Sequence, residues 1–534
     1  MKRSSLLFTF VFFFFSGFTQ TPFDIQLEAV SIPELGGLQS YAWGQHDGYW
    51  LILGGRLDGL HRRQPWASFD EAGLNNQIIV VDPVGLQKWT APLSSLPTAL
   101  REQLSATNME FYQEGDYLYL IGGYGFSTTA QDHLTHPYLA AIKVSAVIDA
   151  VINETAFSSF FRQVADTNFA VTGGYLEKIE DIFYLVGGQR FDGAYNPMNH
   201  PTFTQEYTNS IRRFTLEDDG VNLTITHLPS WTDANNLHRR DLNVSPQIMP
   251  DGQEGLTIFS GVFQQTADLP YLNSVDIRPS GYEVNPDFIQ YFNHYHCANI
   301  SIYSADQNEM HNLFFGGMAQ YYVQDGVLMQ DDNVPFVNTI ARVTRSENGN
   351  LTEYKLDQEM PGYLGSGSEF IPVQGIPAYA NSVLQLDEIP ENTLIGYIYG
   401  GINSTAANIF WINDGTQSVA SSQIFKVYLT APGTSGTKDL SERRTGKMDM
   451  QVFPNPNSGI INISMHLGYR SAVTLKLIDQ TGRVIYEAEY PEANLQLGNN
   501  RLEVALDEKE KPSVIFVTLE SNLEIVTRKL ILER

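Results

Sequence analysis

Six times along this chain an apolar stretch of strand length ends in a pair of glycines, and no other feature constrains the fold as much. The copies occupy residues 50–55, 117–123, 183–188, 256–261, 313–317 and 396–401, with Ser260 standing where the fourth copy's first glycine would be. A second aliphatic stretch follows each pair, opening at Ile78, Leu139, Ile211, Val275, Ile340 and Ile424. From Gly54, Gly187, Gly316 and Gly400 to Ile78, Ile211, Ile340 and Ile424 the separation is 24 residues each time. A strand precedes each pair, near Ser40, Asn108, Asn168, Asn243, Asn299 and Asn381, and another follows, as at 87–91, 223–227 and 351–355. Runs rich in aromatic and β-branched residues read as strands, and a glycine pair allows positive φ and close backbone approach where a strand leaves its sheet. Each repeat is therefore a four-stranded antiparallel unit. Stacked repeats of this kind bury a core between neighbours rather than around one centre.

The sixth repeat ends after its third strand, at 423–429, and a fourth is missing. Residues 23–32 alternate in polarity like a strand and precede Pro33. We expect this N-terminal strand to pair with 423–429 and close a ring of six, which removes an open end. Ahead of it, Met1-Lys2-Arg3 and the apolar run to Phe15 have the form of a cleaved secretory signal over 1–20. The run is too short to span a bilayer, and no transmembrane segment is expected in the mature chain. Residues 431–448 are small, polar and charged, the mark of a linker. The segment 449–534 alternates like a small β-sandwich.

Asp82-Pro83 at the end of a strand, and Trp89 ahead of Pro92, complete a pattern that resembles a kelch repeat across roughly 22–430. The resemblance implies an all-β fold: a six-bladed kelch-like β-propeller followed by a small C-terminal β-sandwich. The repeats depart from the family in being longer, with the excess in the loops between second and third strands. The tail resembles the C-terminal sorting domain of the type IX secretion system of Bacteroidetes. The matching residues run from Val452-Phe453 through Pro454, Asn455, Pro456 and Gly459, then Leu477 to Val484 with Asp479, Gly482 and Arg483, and end in Arg528-Lys529. Where the family has Gly-Tyr near its penultimate strand, this chain has Ser513-Val514. The implied partner is the type IX machinery, and the implied destination is the outside of the cell, secreted or attached to its surface.

Antiparallel pairing puts the long second-to-third-strand loops and the links between repeats on one face. That face collects His61, His133, His136, His200, His238, His294 and His296 of the 11 histidines. Long loops in a compact fold often carry function, so ligand contacts are sought there. The candidates are Arg56, Asp58 and His61 in the run to Arg63; His238, Arg239, Arg240 and Asp241; and His294 and His296. The arginines suit an anion or a sugar, or an ion pair that braces a loop. His294 and His296, two apart and followed by Cys297, are the one spacing that suits a metal; equally they are polar loop histidines beside a buried thiol. No cofactor is expected, and a lone cysteine forms no internal disulfide.

The formal net charge of −27 repels phosphate backbones, so no nucleic-acid partner is expected. No nucleophile elbow, phosphate-binding glycine loop or metalloprotease motif occurs. The expected function is a surface binding or interaction module for an unknown glycan or protein ligand. The alternative is an enzyme at the channel mouth, sugar isomerase-like or a metal-dependent oxidoreductase, both of which occur among the propellers it resembles.

Overall fold

The computed structural model describes residues 22–430 apart from 199–201, 325–326 and 391, and 449–532 apart from 454, 456–459, 468–470, 480–482, 497, 506–513 and 522–524. The signal segment, the linker, His200, Pro454, Pro456, Gly459 and Gly482 lie outside the described residues. The chain divides into two compact units at 431/432.

The first unit is nearly all-β, with a propeller-like plan. Among the described residues its strands form six principal sheets, each with four main antiparallel strands, and two separate two-stranded ribbons, Tyr124–Ser127 with Asp132–Thr135 and Tyr321–Gln324 with Val327–Gln330. The leading strands of the sheets are Ala42–His46, Glu110–Glu114, Thr172–Ile179, Asn243–Ile248, Asn299–Ser304 and Tyr363–Pro372. In the sixth sheet the outermost strand is Asp24–Val30, paired antiparallel with Ile424–Thr430 from Asp24 opposite Thr430 to Val30 opposite Ile424.

Six hydrophobic clusters lie between consecutive sheets. Leu51 and Leu53 meet Leu118 and Leu120 between the first and second. At the other end Trp50 and Ile52 of the first sheet pack with Tyr397, Tyr399 and Ile424 of the sixth.

The glycine pairs join these sheets. The N–H of the second residue of each pair donates to a carbonyl in the segment leading to the next sheet: Gly55 to Ala106, Gly123 to Val171, Gly188 to Arg239, Gly261 to His294, Gly317 to Leu364 and Gly401 to Leu38, at 2.7–3.1 Å. A side chain on the preceding residue would collide there. A Cβ on Gly122, at φ +63°, would sit 1.9 Å from the Val171 oxygen. Ser260 carries a Cβ at this position, where the junction bond from Gly261 N to His294 O is the longest of the six at 3.1 Å, and its hydroxyl donates to the Tyr271 carbonyl at 2.8 Å.

A second set of bonds runs closer to the axis and returns to its start. Asn108 N–H donates to Ser40 O, Gly173 to Asn108, Asp241 to Gly173, His296 to Asp241, Gly367 to His296 and Ser40 to Gly367, at 2.7–3.1 Å. One residue associated with each sheet takes part, giving both its N–H and its C=O.

Three expectations need correction. The first strand of the sixth repeat is Tyr363–Pro372; Asn381 lies in a turn beyond it, its amide on the Gln247 carbonyl. Asn168 sits in a 3-10 turn ahead of Thr172, where the third inner strand begins. Two α-helices, Thr98–Leu104 and Val144–Ile152, interrupt the strand pattern. The second presents Val144, Val147, Ile148 and Val151 to the cluster between the first two sheets, and Asp116 holds its first turn through Ser145 N and Oγ.

The second unit has a three-stranded and a four-stranded sheet. Ile461, Ile463, Leu475, Leu477, Val517 and Leu519 form its core. Asn455 ties the first turn to the last strand, donating to Lys529 O at 3.1 Å and accepting from Ile531 N at 2.9 Å. Asp479 accepts from Arg483 N at 3.1 Å, closing the turn between the next pair of strands.

Candidate functional site

The inner strands enclose an axial cavity of about 360 Å³. Ser40, Asn108, Gly173, Asp241 and His296 of the axial hydrogen-bond ring line one end; Gln45, Gln113 and Gln374, near the hairpin turns, line the other. Between them stand the carboxyls of Glu110, Glu177 and Glu369 and the rings of Trp43, Phe111, Tyr112, Tyr175 and Phe370. The walls thus offer hydrogen-bonding edges and apolar faces together.

The carboxyls do not share one environment. Glu369 lies 2.8 Å from His296 Nε2. Burial works against the His296 charge, but the Glu369 carboxylate outweighs it and raises the pKa above the ordinary value. The Tyr175 ring lies 5.8 Å from the imidazole. Glu110 has no such partner. Its Oε1 accepts from Gly174 N at 2.8 Å, while Oε2 is covered and unbonded. Burial pushes its pKa up to about 8, and that of Glu177 to about 8 as well. Burial therefore favours the protonated form of Glu110 and Glu177, while Glu369 stands against the His296 imidazole.

The candidates taken from the sequence scatter around this cavity. Arg56 is buried, grips Asp58 through two bonds of 2.7 and 2.6 Å, and donates to Asp70 O at 3.0 Å, so it braces its own loop. His61 packs among Phe69, Tyr195 and Phe410, with burial pulling its pKa down to about 4. His238 stacks on Tyr207 at 3.8 Å. Arg239 is fully buried and donates to Asn236 O, Ser260 O, Asn273 O and Asn273 Oδ1 at 2.6–2.9 Å. Burial lowers its pKa to about 9. Arg240 pairs with Asp241, donates to Tyr207 at 3.0 Å and covers Phe263; burial opposes its charge, yet Asp241 and Tyr207 raise its pKa.

His294 and His296 diverge. Both His294 nitrogens are engaged, Nε2 with Gln290 O and Nδ1 with Gln320 N, each at 2.9 Å. Burial lowers its pKa to about 4 and pushes that of the Cys297 thiol up to about 12. These donors do not converge on one ion, and among the described residues no group of three His, Cys, Asp or Glu could hold a metal. Of the sequence candidates the structure brings Asp241 and His296 to the cavity, and Arg240 to its rim through Asp241. The reading of the sequence did not single out Glu110, Tyr175, Glu177 or Trp43.

The histidine enrichment has a packing origin. His133 and His136 join His61, His238 and His294 in having pKa values lowered by burial; only His296 among those described on this face is raised.

Comparison with known proteins bears on the second unit. Residues 451–533 match the family described as the secretion system C-terminal sorting domain. This tail addresses the chain for export through the type IX machinery to the secreted or cell-surface compartment. No helix among the described residues is long and apolar enough to cross a membrane. No curated protein matches the chain. Solved structures with a similar course of chain include YjhT (12% identity, 59% of this chain and 84% of that one, TM-score 0.35). They also include a GH43_1 enzyme from Xanthomonas citri complexed with xylose (10%, 61% and 92%, TM-score 0.31). A third is RAG in complex with one melted and one unmelted RSS (10%, 76% and 99%, TM-score 0.34). At these scores none of the three bears on what this chain binds or does.

Proposed function

We propose that the first unit is a closed, six-bladed kelch-like propeller that works outside the cell as a binding module, and that it takes a saccharide in its axial cavity. The observation that carries this reading is the composition of the cavity wall. Carboxyls and amides stand beside Trp43, Tyr112 and Tyr175 in a space of about 360 Å³. A sugar presents the matching pair of features, hydroxyls on its edge and C–H groups on its faces, and a pocket of this size is ordinary for a small ligand. The axial ring of backbone bonds and the six inter-sheet clusters support the closed six-bladed form.

The test is a glycan array probed with the full chain lacking its leader, followed by calorimetry on the best ligand. Tyr175→Ala and Trp43→Ala should each weaken binding by about tenfold or more, roughly 1.4 kcal/mol. An array on which no saccharide binds, and a panel in which none raises the melting temperature, would sink the reading.

One observation favours a second reading, catalysis on the bound sugar. Two acidic groups in one cavity held in different environments, Glu110 buried with one oxygen unbonded and Glu369 against His296, are an arrangement that acid–base chemistry uses. Recovering the ligand unchanged after prolonged incubation argues for binding alone. Turnover that disappears in Glu110→Gln and Glu369→Gln while affinity persists argues for the enzyme.

A further inference from the structure

The long-loop face carries a feature that neither the axial cavity nor the export tail uses. The loops after the glycine pairs of the first and sixth sheets are knitted together. Asn413, fully buried, donates to Leu60 O at 2.7 Å and His61 O at 3.0 Å, and its carbonyl accepts from Arg63 N at 2.9 Å. Leu60 N donates to Ser418 Oγ at 2.9 Å, and Asp58 bridges to Val419. Upon this joint stands Trp411, 60% exposed, next to Ile412 at 64%. The Arg63 guanidinium lies over the indole at 4.4 Å, Phe410 packs edge-on against the indole at 4.9 Å, and His61 packs in turn on Phe410 at 5.5 Å.

Adjacent exposed apolar side chains are a feature of interaction sites, and here they have charged company. In a chain of net charge −27, neither Arg62 nor Arg63 has an ion-pair partner among the described residues. Arg63 Nη1 is covered and bonded to nothing, and the Arg62 side chain lies against Gly415. The neighbouring Asp414 is turned into its own loop, its Oδ1 accepting from Thr416 N at 3.0 Å and Thr416 Oγ1 at 2.7 Å.

We infer that this joint is a second binding site, specific for a carboxylate-bearing sugar. The guanidinium forks of Arg62 and Arg63 take the carboxylate, while the exposed side of Trp411 stacks on a sugar face. A neutral sugar would leave the forks unpaired, and a simple anion would leave the indole bare. The site is preorganised, because Asn413 fixes both loops before any ligand arrives.

Tryptophan fluorescence of the full chain, titrated with tetragalacturonate and with its fully methyl-esterified form, tests this with one change in charge. The acid form should bind and the ester should bind at least about tenfold more weakly. Trp411→Ala and Arg63→Ala should each cost the acid form about tenfold or more, and added salt should weaken it. Should Arg63→Ala fail to fold, as judged by its melting curve, Arg62→Ala and Trp411→Ala still decide. Equal binding of acid and ester, no binding of the acid at millimolar concentration, a response only to sulfated sugars, or indifference to Trp411→Ala would each overturn the inference. The outcome does not depend on the axial cavity: a chain that binds no neutral saccharide leaves every one of these expectations in place.

Discussion

Gly122→Ala separates close backbone approach from backbone strain. Gly122 has φ +63°, and a Cβ there would lie 1.9 Å from Val171 O and 2.9 Å from Val171 C. Relief requires the segment entering the third sheet to withdraw by more than an ångström. That movement stretches the bond from Gly123 N to Val171 O, now 2.9 Å, and disturbs the Glu110 carboxyl 3.0 Å from the same Cβ. Left-handed φ for alanine costs about 1–2 kcal/mol. Overpacking adds roughly 1–3 kcal/mol, and the weakened hydrogen bond about 0.5–1.5 kcal/mol. The expected loss is roughly 3–6 kcal/mol, a large share of the ~5–15 kcal/mol that holds a domain folded. Gly252→Ala is the control: φ is +78° and nothing lies within 4 Å, so only the first cost applies. Urea unfolding followed by fluorescence should show Gly122→Ala far less stable than Gly252→Ala. If the two variants unfold at the same denaturant concentration, the glycine pairs are there for φ alone and the account of how the sheets are joined is wrong.

Three further outcomes follow from particular contacts. Phe23→Ala removes a buried ring that packs edge-on against His311 at 5.4 Å beside the N-terminal strand, and should cost about 3–5 kcal/mol in a denaturant titration; an unchanged midpoint would mean that this strand does not hold the sixth sheet. Glu110 has its folded pKa raised from 4.5 to about 8, so its contribution is fully present below pH 4.5 and is lost as pH rises through 8; the melting temperature should fall between pH 5 and pH 8 and fall less in Glu110→Gln, and equal slopes would count against a protonated Glu110. Arg239→Ala strands three carbonyls, that of Ser260 buried and those of Asn236 and Asn273 partly so, and should destabilise by on the order of 3 kcal/mol; normal stability with lost ligand binding would show it to be a contact residue after all.

The repeat was legible because its cause is local. The first glycine of a pair at a strand exit leaves room for the carbonyl of the segment entering the next sheet, and this recurs at five of the six junctions, Ser260 being the exception. The sixth inner strand was not legible, since Leu364-Gly365-Ser366-Gly367-Ser368 carries neither apolar alternation nor β-branched residues; its small side chains are needed where Gly365 approaches Phe315 O. The helix Val144–Ile152 did have a signal, Val144, Val147, Ile148 and Val151 at helical spacing, masked by the apolar strand that runs straight into it. The site was the least legible. Glu110, Tyr175 and Glu369 are drawn from three sheets and meet only because the inner strands surround one axis. The histidine count on the long-loop face reflects packing, since His61, His133 and His238 stack on aromatic rings there.

The most direct test of the binding account is a crystal structure of the chain grown with the saccharide that binds best on the array. The account predicts ligand density inside the axial cavity, in contact with Tyr175, His296 and Glu369. An empty cavity at saturating ligand, with the sugar seated elsewhere, would contradict it.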